Sequence, residues 1–213
     1  MTGEIDTLSA QLPDAVLIER VLLGEKKLFE VVIRRYNQRL YRIGMSVLGS
    51  DVEAEDAMQT AYINAYEHLS RFEKRASFAT WLTRIMLNQC YEQKRRNQLI
   101  KTHLPQPLNL VNMKTPANVL VEKELNRLLE QAIGRLPEKY RLVFVMREIE
   151  DMSVRDTSEA LDIEEPNVKV RLNRAKTMLR EDLNGYIKDN VYNFHLTRCD
   201  RIVNNVMTHL GIM

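Results

Sequence analysis

A chain of 213 residues with 45% apolar side chains has material for one large or two small cores, so wholesale disorder is excluded. Seven glycines and six prolines are too few for the many turns of a sandwich or barrel, which leaves helices. The formal net charge of +2 says little by itself, but charge of each sign gathers locally, and that argues for dedicated surfaces.

Cys90 and Cys199 are far apart and form no CxxC, which argues against a disulfide framework or a four-ligand zinc site and fits a reducing compartment. The opening MTGEIDTLSA has no basic segment followed by an apolar run, so no signal peptide is expected. No apolar run approaches ~18 residues, so no membrane insertion is expected.

From Asp14 onward, apolar residues fall at helical spacing. Leu28, Val31, Val32, Tyr36, Leu40, Ile43 and Val47 form one stripe, and Gly49 follows it as a C-cap. Ser50 or Asp51 then supplies an N-cap for DVEAEDAMQTAYINAYEHL, whose early carboxylates suit a positive helix N-terminus. Ala54, Ala57, Met58, Ala61, Ala65 and Leu69 make its expected inward face. SRFEKRAS breaks the pattern as a loop. FATWLTRIMLNQCYEQKRRNQL resumes it, with Phe78, Leu82, Ile85, Met86 and Tyr91 expected inside and a basic end at Lys94, Arg95 and Arg96. Residues 101–118 are proline-rich and aperiodic, a linker. Helical signals return at VLVEKELNRLLEQAIGRL, are interrupted by Pro137, and continue through EKYRLVFVMREIE.

SVRDTSEAL has the spacing of a short helix, with Val154, Thr157, Ala160 and Leu161 inward. DIEEP is a tight connection, and Pro166 suits the start of the next helix. There Val168, Leu172, Ala175, Met178 and Leu179 share a face, while Lys169, Arg171, Asn173, Arg174 and Lys176 spread over the others. A cationic run on a helix is commonly a solvated face. Two short helices joined by a tight turn, the second one cationic, instead make a helix-turn-helix, whose second helix enters a DNA major groove. The partner of the gathered cations is then a polyanion.

The final segment places Val191, Phe194, Cys199, Ile202, Val203, Val206 and Leu210 at spacings of three to five. His195 and Cys199 lie one turn apart, but two ligands make no structural zinc site. No nucleophile motif, phosphate loop or carboxylate pair occurs, so no enzyme active site and no cofactor are expected.

AEDAMQTAYINAY, FATWLTRIMLNQCYEQKRR and the long stretch from LPEKYR to MLRED follow one another in a specific order. In that order they resemble a bacterial RNA polymerase sigma factor of the extracytoplasmic-function type, over about residues 14–186. The resemblance implies an all-α protein: sigma region 2 over 14–100, a linker over 101–118, sigma region 4 over 119–186, and a C-terminal helical extension over 187–213. It implies a cytoplasmic promoter-specificity subunit whose partners are core RNA polymerase, promoter DNA and an anti-sigma factor.

The resemblance also distributes roles. Glu55, Asp56, Gln59 and Ile63 would offer polymerase an acidic, partly apolar strip. Around the −10 element, Phe72, Lys74, Arg75 and Ser77 would build a pocket for an unstacked base. Asn88 would read the edge of that base, and Arg84, Lys94, Arg95 and Arg96 would hold phosphates, a division of labour suited to single strands. Trp81, between Phe78 and Leu82, is expected in the core. At the −35 element, Arg147 would contact the backbone, and Lys169, Val170, Arg171, Asn173 and Arg174 would meet bases and phosphates. The rival readings are a stand-alone helix-turn-helix regulator of duplex DNA and, third, an anti-sigma or adaptor protein. A first domain ending in a basic helix that carries an Asn argues against both.

Overall fold

The computed structural model describes residues 11–101, 120–190 and 206–207, and among them every regular element is helical. The first four long helices are α1 (Asp14–Leu22), α2 (Phe29–Leu48), α3 (Asp51–Glu67) and α4 (Phe78–Lys101). The next four are α5 (Leu120–Arg135), α6 (Glu138–Phe144), α7 (Val154–Leu161) and α8 (Glu165–Asn190). A turn of wider π helix, Val145–Ile149, extends α6. No described helix is long and apolar enough to cross a membrane. The expected linker from residue 102 to 118 and the tail pattern, Val206 apart, lie outside the described residues, as do His195 and Cys199.

The ends of the helices follow from their sequence. Gly49 adopts φ +68° and donates its N–H to the Met45 carbonyl, so the residue without a Cβ ends α2. Ser50 then accepts the Glu53 N–H to start α3. Pro137 precedes α6, and its carbonyl accepts from Tyr140 and Arg141. Ser153 caps α7 by accepting the Asp156 N–H at 2.9 Å. Asp162, in the left-handed region at φ +52°, ends it.

The amino-terminal core gathers α1 to α4. Leu17, Leu40, Ile43, Leu82 and Met86 are fully buried, and every methylene removed from water there contributes roughly 0.8 kcal/mol. Five members of the α2 stripe from Val31 to Ile43, and Val47, are buried as expected, whereas Leu28 is only half-buried. On α3 the small alanines are buried and Met58 is half-buried. Tyr91 is a correction: expected inside, it is 45% exposed, because it lies on the cleft side of α4 rather than under it. Ile85 is half-buried. Gly44 is where α2 meets its neighbours, since a Cβ there would stand 2.7 Å from Met86 Cε and 3.1 Å from Ala54 Cβ.

The carboxy-terminal helices have a small cluster of their own, Ala132, Leu136, Ala175 and Leu179. Leu142, Met146, Met152 and Ala160 instead join the amino-terminal cluster, so the two units pack face to face. Arg141 crosses the junction, donating from Nε to the Ser46 carbonyl at 2.8 Å. Burial holds its guanidinium below the ordinary arginine value.

Candidate nucleic-acid and polymerase interfaces

On α3, alanines fill one side and leave the other to solvent. Glu55, Asp56, Gln59 and Ile63 are all exposed there, Ile63 by 59%. Val52 adds a second apolar side chain, 70% exposed, which the sequence reading did not single out. The strip thus combines carboxylates with two open aliphatic side chains, which makes it a candidate surface for a partner protein. Tyr62 is buried behind the strip, with its hydroxyl donating to the Ile33 carbonyl at 3.1 Å. The start of the helix is braced by Tyr41, whose phenol donates to Asp51. That bond and burial push the phenol up to about 12.

The segment before α4 brings aromatic rings together. Phe72 lies 5.5 Å from Phe78 and 5.3 Å from Trp81, centroid to centroid. Trp81 is half-buried in that cluster, so its ring supports the loop from below. Lys74 takes φ +57° at the loop tip. Arg75 pairs with Glu73 at 2.7 Å, and both are exposed. Ser77 caps α4, its Oγ accepting the Thr80 N–H at 3.1 Å.

Arg84 and Asn88 are exposed and one turn apart on α4. With Leu87 and Tyr91 they form one wall of a cleft of about 200 Å3, whose other wall is Ala160, Leu161 and Asp162. Arg95 and Arg96 are exposed, with Glu92 3.8 Å from Arg96. Lys94 is different: its ammonium is bonded to Glu138 of α6. Of the expected −10 group, Arg84 and Asn88 line the cleft beside the second unit and Lys94 is bonded across to it, while Arg75, Arg95 and Arg96 are exposed.

The helix-turn-helix forms as expected. Thr157, Ala160, Val168, Ala175 and Leu179 are buried, while Val154, Leu161, Leu172 and Met178 are half-buried. Ser158 Oγ closes the turn by donating to the Ile163 carbonyl at 2.5 Å. Lys169, Val170, Asn173 and Arg174 are exposed together near the start of α8, and Arg171 is half-buried. Lys176 is drawn aside by Glu148 at 2.9 Å. Arg147 sits in the π turn, half-buried, and its Nε has no partner among the described residues.

Two groups of consequence gave no sequence signal. Glu150 is buried and meets Arg39 and Arg42 of α2. Asp156 accepts from Thr80 Oγ1 at 2.7 Å and from Ser153 Oγ at 2.5 Å. Burial pushes the Asp156 carboxyl up, but the Ser153 and Thr80 bonds outweigh it and hold it below the ordinary range.

Comparison with known proteins bears on both units. The pattern of sigma-70 region 2 matches residues 32–100, and that of sigma-70 region 4 matches residues 126–179. The chain is 30% identical to the ECF RNA polymerase sigma factor SigW of Bacillus subtilis over 176 residues, covering 78% of this chain and 94% of that one. It is 29% identical to the ECF RNA polymerase sigma-E factor of Haemophilus influenzae over 192 residues, covering 83% and 98%. The solved structure of CnrH in complex with the cytosolic domain of CnrY shares the fold. Its TM-score is 0.60 at 22% identity, covering 81% of this chain and 97% of that one.

Proposed function

The chain belongs to the extracytoplasmic-function class of the sigma-70 family of RNA polymerase sigma factors, and from that premise we propose a role for each of its surfaces. As a promoter-specificity subunit it binds core polymerase and directs initiation. Glu55, Asp56, Gln59 and Ile63 of α3 dock on the polymerase. Phe72, Lys74, Arg75, Ser77 and Asn88 hold an unstacked base of the −10 element, and Arg84, Lys94, Arg95 and Arg96 follow its backbone. The start of α8 enters the −35 major groove, where Arg174 and Lys169 suit guanine and Asn173 suits adenine. Arg147 steadies the backbone. The chain acts by binding alone, and its own residues make or break no bond. Its work is cytoplasmic, beside the polymerase, and an anti-sigma factor is its regulatory partner.

The observation that carries this reading is the coexistence of two unlike surfaces in one chain. An exposed acidic and aliphatic strip on α3 asks for a protein, while an exposed cationic helix start on α8 asks for a nucleic acid. A stand-alone regulator needs only the second.

The test is run-off transcription and DNA retention on fragmented genomic DNA of the host. It is done at one fixed salt concentration, because phosphate binding varies steeply with salt. Transcripts from particular start sites, seen only with core polymerase present, bear the reading out. Retention of particular duplexes by the chain alone, with nothing added by polymerase, would instead establish the stand-alone regulator.

A further inference from the structure

The private cluster of the second unit is open on one side. Leu129 and Ile133 of α5, Phe144 of α6, and Leu179 and Leu183 of α8 line a groove of about 450 Å3. Ile133, Phe144, Leu179 and Leu183 also pack with Ala132, Leu136 and Ala175, so the groove is a gap in that small core. Its apolar lining reaches the surface, where Leu129 is 37% exposed. Lys176 and Arg180 stand beside it, and Lys176 is already paired with Glu148. None of the apolar side chains belongs to the proposed −35 contacts.

The segment after α8 has the matching form. Cys199, Ile202, Val203, Val206 and Leu210 recur at helical spacing, and no Asp, Glu, Lys or Arg occurs from Ile202 to Met213. Val206 and Met207, its described residues, are helical, and Val206 is 48% exposed. A stripe of that length asks for a cover. The same helix that lines the groove leads into the segment, since α8 runs on to Asn190, about two turns past Leu183. Asn190 and Asn193 suit the left-handed conformation at which helices end. Both helices rise ~1.5 Å per residue, so a reversal between the two asparagines brings Ile202, Val203 and Val206 back level with Leu179 and Leu183, to within about a turn. It also brings Asp200, the only carboxylate side chain from Val191 to Met213, within a long side chain's reach of Arg180.

We propose that the groove is the seat of the chain's own carboxy-terminal segment, whose stripe from Cys199 to Leu210 lies antiparallel on α8 and closes the second core. The segment thereby holds α8 against α5 and α6 from the side away from the proposed −35 contacts. The seat is an intramolecular one and does not depend on what α8 binds.

The test is amide hydrogen exchange, read by mass spectrometry, on the full chain and on the full chain with Val203→Asp and Val206→Asp together. Two carboxylates in the stripe unseat it without touching the groove. The expected result is several-fold faster exchange along Leu129–Arg135 and Leu179–Leu183, with the core of the first unit around Leu82 and Met86 unchanged. Unchanged exchange along the groove overturns the proposal. So does a parent whose amides from Cys199 to Leu210 already exchange at the rate of an unfolded chain. If the double variant loses the fold of the second unit, Leu129→Asp approaches the contact from the other side. It should speed exchange from Cys199 to Leu210, and equal rates there overturn the seat. Sedimentation velocity over a range of concentrations separates one chain from two. A monomer throughout supports the intramolecular seat, and a dimer that Val203→Asp with Val206→Asp dissolves overturns it in favour of a second copy's segment.

Discussion

In the amino-terminal unit, four helices converge on Leu40, Ile43, Leu82 and Met86, all without exposure. In the carboxy-terminal unit the private cluster is Ala132, Leu136, Ala175 and Leu179, with half its members alanine. The second unit also places Leu142, Met146 and Met152 against the first. The difference is one of self-sufficiency. A unit with a broad core holds its shape alone. A unit with a small core gains stability from whatever face it is set against.

The comparison is broken most directly from inside the first unit. Leu82→Ala is expected to lower stability by ~2–5 kcal/mol in urea unfolding, because the site is enclosed on all sides and collapses poorly. A loss no larger than that of a surface change would show that the first core is loose, and the contrast would fail. Next in size, Arg174→Ala should reduce transcription from a −35-dependent promoter by the equivalent of ~1–3 kcal/mol. Its melting temperature should stay with the parent's, because Arg174 is exposed. A fall in melting without a fall in promoter use would assign the residue to the fold instead.

Ser153→Ala addresses the junction. It removes the acceptor of the Asp156 N–H and should cost ~1 kcal/mol of thermal stability. Ser153→Asn, another good capping residue, should restore most of it. The smallest effect concerns pH. The Asp156 carboxyl titrates below its ordinary value of 3.8 in the folded chain, so the unfolded chain takes up the proton first. The stability it contributes is therefore whole above that value and declines as pH falls through the folded-state value. Melting of the parent and of Asp156→Asn should converge on acidification from about pH 6 to about pH 3. A constant gap would show that Asp156 does not couple to the fold through its charge.

Much of this was legible in the sequence. The helices announced themselves through apolar spacing and caps: Gly49 and Ser50 between α2 and α3, Ser153 before α7, Pro166 in the first turn of α8. The surfaces of α3 and α8 followed, since what is polar on an amphipathic helix faces out. Other positions could not be read. Thr80 and Thr83 are fully buried although their type is usually exposed. Their burial depends on neighbours from distant helices, which local spacing does not record. Glu150 looks like any carboxylate at the end of an acidic run, yet its partners lie 108 and 111 positions away. Tyr91 shows the converse. Its spacing fits the inner stripe, but the cleft between the units leaves its side of α4 open.

Gly44 has a bearing on the proposed polymerase surface without being part of it. Its missing side chain lets α3 lie directly on α2 at Ala54, one residue before the proposed docking strip begins at Glu55. The glycine acts as a depth stop: it fixes how far the strip stands proud of the domain. Bulk added at position 44 would raise the strip from behind and tilt it, with every docking residue unchanged. If the strip docks as proposed, the fit to polymerase is gauged partly by a residue outside the strip.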